Sequence, residues 1–164
     1  MIGRHVYVYK EPYDFDKLES VFRILGDSRP KMLLIDAHSN SGLRSDARRE
    51  TITVRSETFD KTIKQLEPKE SIIWLDTQGF EGHILSGATK ALQLRPPICL
   101  EFWPYGMSRT DSYSLLKKAL IESGYSSFFD LNENGPPVSL TTASLDRLYE
   151  RLQGRDQFTD LLVL

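Results

Sequence analysis

The sequence predicts an α/β fold, a mostly parallel sheet with helices on both faces, in a single domain over residues 1–164. Three observations carry this. Apolar strand-like runs alternate with helical patterns of roughly ten to fifteen residues, which is how strand–helix–strand crossovers read. Two of the runs, "MLLI" and "IIWL", are apolar without interruption, as strands covered on both faces require. Successive runs also end in a carboxylate, at Glu11, Asp36, Asp76 and Glu101. Parallel strands bring such ends to one rim, where ligands bind in this architecture.

Taken in order, "HVYVY" (residues 5–9) is rich in Val and Tyr, which suit a pleated strand, and it stops at Lys10-Glu11-Pro12. "YDFDKLESVFRILG" reads as a helix: Phe15, Leu18, Phe22 and Leu25 fall at helical spacing, Asp14 caps the start and Gly26 suits the end. "KMLLID" is the second apolar strand and "RSDARRE" a charged, exposed stretch. "TITVRSET" alternates as a strand with one wet face. "SETFDKTIKQL" is a short helix closed by Pro68, and "SIIWLD" is the third apolar strand. "GFEGHILSGATKALQ" reads as one helix, with Phe80, Ile84, Leu85, Ala88 and Leu92 on one face. "PPICLEFW" is a strand. "SRTDSYSLLKKALIESG" is a helix, with Ser108 and Asp111 at capping-box spacing and Gly124 at its end. "YSSFFDL" is a strand, "TTASLDRLYERLQG" a helix ending at Gly154, and "FTDLLVL" a closing apolar strand.

Composition narrows the function classes. The chain has 164 residues, 40% hydrophobic and 27% charged, which is enough for one domain with a real core. A formal net charge of -2 offers no global positive field for nucleic acid or an anionic membrane. The single cysteine, Cys99, lies in an apolar setting and has no internal partner, which predicts a reducing, cytoplasmic compartment. No apolar run approaches the ~20 residues that span a bilayer. Neither a metal-ligand spacing nor a phosphate-loop or Gly-x-Ser-x-Gly motif is visible.

The stretch "WLDTQGFEGHILSGA" carries the chemistry. Its Asp-x-[Glu/Gln]-Gly-x-Glu core after an apolar strand resembles the signature of FkbM-type methyltransferases. The resemblance continues in order: "HVYVYKEPYDFDKL" is similar to their second strand, "LLIDAHSNSG" to the third strand and its loop, and "TVRSETFDKTI" to a later helix entry. "PPICLEFWPYG" is similar to the fifth strand, "ESGYSSFFDL" to the strand after it, and "FTDLLVL" to the closing strand. It covers nearly the whole chain.

The resemblance implies a Rossmann-like methyltransferase sheet that uses S-adenosyl-L-methionine to methylate a hydroxyl of a small-molecule or glycan acceptor: a sugar, a glycolipid or a polyketide-like compound. It implies that Glu11 binds the cofactor ribose, that Asp36 through Ser39 approach the adenine, that Asp76 stands beside the methyl-transfer centre, and that Asp76 and Gln78 contact the cofactor. Gln78 occupies a position where many members have Glu; it keeps an acceptor but lacks the charge of a general base. The family's first, central strand and its glycine-rich loop have no counterpart before "HVYVY". From this follow three expectations: a gap beside "HVYVY" and "IIWLD", self-association through those unpaired edges, and weak cofactor binding or none. The rival reading is a truncated, non-catalytic remnant that binds a partner through the open sheet.

Each residue also has a plainer reading. Asp76 is a rim acid or a helix cap. Glu81 orients the site or favours the helix dipole. His83 is a general base for a hydroxyl or an ordinary half-exposed helical histidine. Glu101 lines an acceptor pocket or caps the element that follows. Trp103 and Tyr105 stack on an acceptor or pack in the core.

Overall fold

The computed structural model describes residues 20, 21, 23–25, 31–36, 57–63, 66, 71–133 and 135–164, with the strand at 31–36 described by its backbone. Six strands form one sheet: β1 (Lys31–Asp36), β2 (Ser71–Asp76), β3 (Ile98–Phe102), β4 (Ser127–Asp130), β5 (Val138–Ser139) and β6 (Thr159–Val163). Their order in space is β1-β2-β3-β6-β4-β5. The first two pairings, β1 with β2 and β2 with β3, are parallel. The other three, β3 with β6, β6 with β4 and β4 with β5, are antiparallel. The fold is α/β as expected, but the sheet is mixed rather than mostly parallel. The reason is the closing strand. β6 enters between β3 and β4 and runs against both, so every pairing it makes is antiparallel.

The register puts the Asp36 and Asp76 backbones side by side at the end of β1 and β2. Leu75 pairs with Leu100, so Asp76 and Glu101 follow one residue later on neighbouring strands. β1 and β2 end in Asp36 and Asp76, and β3 carries Glu101 one residue before its end; these three strands are mutually parallel and bring the three positions to one rim. Glu11 and Ser39 lie outside the described residues, as do "HVYVY" and residues 51–56.

One expectation is overturned. β2 does not face a gap, because β1 pairs with it along all six residues from Ser71 to Asp76 and β3 takes its other side. A lone strand edge in an apolar run would leave backbone amides unpaired at ~1–3 kcal/mol each, so occupation by the nearest apolar run is the low-energy outcome. The gap beside "IIWLD" is filled by another segment, and the "HVYVY" edge lies outside the described residues.

Strand alternation splits the core in two. Ile73, Leu75, Ile98, Leu100, Phe102, Leu161 and Val163 face one layer. Ile72, Cys99 and Leu162 face the other, where helical Val21 packs with Ile24 and Leu25 beside it. Six helices are described in addition to that helical stretch at 20–25: α1 (Phe59–Thr62), α2 (Glu81–Ser86), α3 (Thr89–Gln93), α4 (Pro104–Arg109), α5 (Tyr113–Glu122) and α6 (Thr142–Arg151). Phe59, Leu85, Leu92, Met107, Leu116, Leu120, Leu145 and Leu148 bring all six to the first layer. Fully burying such a side chain contributes ~1.5–3 kcal/mol, and among the described residues most of that burial is in this layer. Among the described residues no helix is long and apolar enough to cross a membrane.

Two expected helices are each broken. "GFEGHILSGATKALQ" forms α2 and α3 with a break at Gly87-Ala88. The second piece is started by a distant side chain: Asp60 accepts from the backbone N–H of Lys90 (2.9 Å) and Ala91 (3.1 Å) and from the Thr89 hydroxyl (3.1 Å). The second expected helix begins at Tyr113 instead of Ser108. Ser108 donates to the Tyr105 carbonyl (2.9 Å) and Asp111 adopts φ 54°, so the two make no capping box. The real capping box is Thr141 with Ser144 at the start of α6.

Candidate functional site

The loop after β2 explains why an apolar strand ends in Asp-Thr-Gln-Gly. The Phe80 N–H donates to the Thr77 carbonyl (3.2 Å), closing a four-residue turn. Its central residues, Gln78 (φ 54°) and Gly79 (φ 97°), both have the positive φ of a type I′ turn. A left-handed non-glycine residue costs roughly 1–2 kcal/mol, so something must hold Gln78 there.

Glu81 does the holding from inside. Its Oε1 accepts from the Thr77 N–H (2.9 Å), the Thr77 hydroxyl (2.8 Å) and the Gly79 N–H (3.4 Å). The Gly79 carbonyl in turn accepts from the hydroxyls of Thr110 and Ser112. The glycines follow from close approach. A Cβ at Gly79 would stand 2.4 Å from the Gly106 carbonyl carbon, and one at Gly82 would stand 2.0 Å from the Ser112 oxygen. Gly82 thus lets α2 lie directly on α5.

The turn delivers Gln78 to the rim. Its Nε2 donates to Asp76 Oδ1 (2.9 Å) and to Glu101 Oε2 (3.2 Å). The amide nitrogen faces both acids because the amide oxygen would repel them. Asp76 and Glu101 lie two residues after Trp74 and Cys99 respectively, so both share their face, opposite α2. Asp160 lies opposite Glu101 in the antiparallel register and adds a third, buried acid to this face. Sequence reasoning did not single out Asp160; an acid inside the apolar run "FTDLLVL" was the available signal.

The remaining candidates fall elsewhere. Glu81 is fully buried within α2, away from the rim. Burial raises its carboxyl above the usual carboxylate range, more than the hydrogen bonds from Thr77 and Gly79 lower it. Its Oε2 has no hydrogen-bond partner among the described residues. His83 donates Nε2–H to the Thr110 carbonyl (2.7 Å) and lies against Phe80, with ring centroids 5.6 Å apart. It is on the opposite layer from Asp76. Trp103 donates Nε1–H to the Arg155 carbonyl (2.7 Å). Its ring packs on the Gly106 backbone and meets Tyr105 at 5.5 Å. Trp103 is thus packed against its own chain while remaining partly exposed. Tyr105 is half-buried, with the Arg109 guanidinium 5.6 Å above its ring. Asp36 lies beside Asp76 in the backbone register.

The structure thus brings Asp76, Gln78 and Glu101 together and leaves Glu81 and His83 apart from them. Comparison with family models, with curated proteins and with solved structures finds no match to this chain.

Proposed function

We propose that the chain is an S-adenosyl-L-methionine-dependent methyltransferase of FkbM type, acting on a hydroxyl of a sugar, glycolipid or polyketide-like acceptor. The observation that carries this reading is the Asp76–Gln78–Glu101 set at the carboxyl ends of adjacent parallel strands. The strand order β2-β3-β6-β4, with the closing strand run back antiparallel, is compatible with a Rossmann-like methyltransferase sheet.

The donor set fits the cofactor's chemistry. The cofactor carries a sulfonium cation and ribose hydroxyls. Carboxylates at a rim favour the first and accept hydrogen bonds from the second. Asp76 and Gln78 are the described residues that would hold it, and when bound it supplies the methyl group. The chain's own part is positioning and proton handling. Gln78 fixes the two carboxylates relative to one another. Glu101 accepts a hydrogen bond from the acceptor, and Asp76 Oδ2 takes the proton that the acceptor hydroxyl gives up. Most of the rate would come from holding the reacting groups in line.

The test is transfer of radiolabelled methyl to a panel of sugar and polyketide-like hydroxyls at millimolar cofactor. Wild type should label at least one acceptor. Asp76→Ala should lose about a hundredfold or more of that rate, the range of a positioned acid–base group, while keeping a native circular-dichroism spectrum. No labelling, or an unchanged rate in Asp76→Ala, would overturn the reading.

A further inference from the structure

We propose that Glu81 is a positioning residue: its carboxyl fixes the Thr77–Gly79 turn from within, and so sets the reach of the Gln78 amide to both Asp76 and Glu101. Its importance for function rests on the methyltransferase reading, but the geometry stands without it.

Three features of the turn converge on this side chain. Gln78 is held left-handed, which it would not adopt unaided. The residues on either side of it, Thr77 and Gly79, both donate their backbone N–H to Glu81 Oε1, and the Thr77 hydroxyl adds a further bond to the same oxygen. One oxygen therefore fixes the peptide units that flank Gln78. The other oxygen, Oε2, is buried and has no hydrogen-bond partner among the described residues. A carboxyl kept in such a place for bulk alone would be replaced at no loss by an apolar side chain, because burying a polar atom unpaired costs free energy. The retained oxygen is the one that organises the turn. Glu81 lies on the opposite layer from Asp76 and Glu101 and bonds the residues on either side of Gln78, so its influence on the rim runs through Gln78.

The experiment reads the side-chain amide signals of Gln78 by nitrogen–proton correlation NMR in the ligand-free protein, so a failure of methyl transfer leaves this test intact. Glu81→Gln keeps the Oε1 acceptor and should leave the Gln78 signals in place. Glu81→Leu removes it, and the Gln78 signals should move to the position of a free, rapidly exchanging glutamine amide. Thr77→Val removes one donor of the turn and should shift the same signals while the fold persists; it decides the matter if Glu81→Leu does not fold. A space-filling role would leave the Gln78 signals unchanged in folded Glu81→Leu and in Thr77→Val. Either of those results, or loss of the signals in Glu81→Gln, overturns the proposal.

Discussion

Asp76 and Asp146 are both half-exposed aspartates with a hydrogen-bonded partner, and they differ in what that partner is. Asp146 accepts from Lys117 Nζ (2.6 Å) and from the Tyr113 hydroxyl (2.7 Å). The ammonium, and then the phenol, hold its carboxyl below the usual range. Lys117 also lies 4.6 Å from the centre of the Tyr113 ring, which stacks on Tyr149 at 4.0 Å. Asp130 is similar, paired with Arg151 at 2.9 Å. Asp76 is met instead by the neutral amide of Gln78, which Glu101 shares. Asp146 and Asp130 have their charge met by a cation of the chain itself. The Gln78 bonds orient Asp76, and among the described residues no cation pairs with it. An acid that only stabilised the fold would be expected to look like Asp146.

The comparison makes a strong claim about how each is held. The rim depends on a turn packed without slack, so Gly79→Ala should be the most damaging change considered. Its Cβ meets the Gly106 backbone at 2.4 Å, and φ 97° disfavours any side chain. Overpacking and left-handed strain together cost about 3 kcal/mol or more. Thermal unfolding that moved by less than a third of that would break the account of the turn.

The second prediction concerns pH. Burial raises the folded-state carboxyl of Glu81 above its ordinary value of 4.5. The folded chain then binds that proton more tightly than the unfolded one. The corresponding stability is complete below about pH 4.5 and is lost as pH rises through the raised value. Melting temperatures measured across this window should fall with rising pH in wild type and lose that component of the slope in Glu81→Gln. Equal slopes would contradict it.

Asp146 should behave with the opposite sign and a smaller size. Its folded value is depressed from 3.8, so its contribution is present above that pH and is lost as pH falls through the lowered value. With 41% of its side chain exposed, solvent screens the pair. Asp146→Asn should therefore cost under about 1 kcal/mol in denaturant unfolding. A larger loss would mean that this acid is also held for more than its surface pairing.

Much of this was legible along the chain, because the signals are local. Apolar runs placed β1, β2, β3 and β6, and the acids at or next to the ends of the first three marked the shared rim. The "DTQG" break marked a turn, and Gly124 at φ 77° ended α5 as read. What was missed is set by partners far away in sequence. The split between α2 and α3 depends on Asp60, nearly thirty residues before the helix it starts. The mixed sheet depends on β6 choosing a place between β3 and β4. Glu81 sits where a first-turn acid favours a helix dipole, so sequence alone could not show that its carboxyl turns back to grip Thr77 and Gly79. Gln78 looked like a weakened glutamate; the structure makes it the link between two acids.

The central proposal is that this rim, where a neutral amide meets Asp76 among the described residues, takes the cofactor. Titration of the purified chain with S-adenosylhomocysteine, followed through the amide signals of Thr77, Gln78 and Gly79, tests it most directly. The account predicts saturable shifts at all three residues, weak enough to need up to millimolar ligand, and their loss in Asp76→Ala but not in Asp146→Asn. Shifts absent at millimolar ligand, or unchanged in Asp76→Ala, would contradict it.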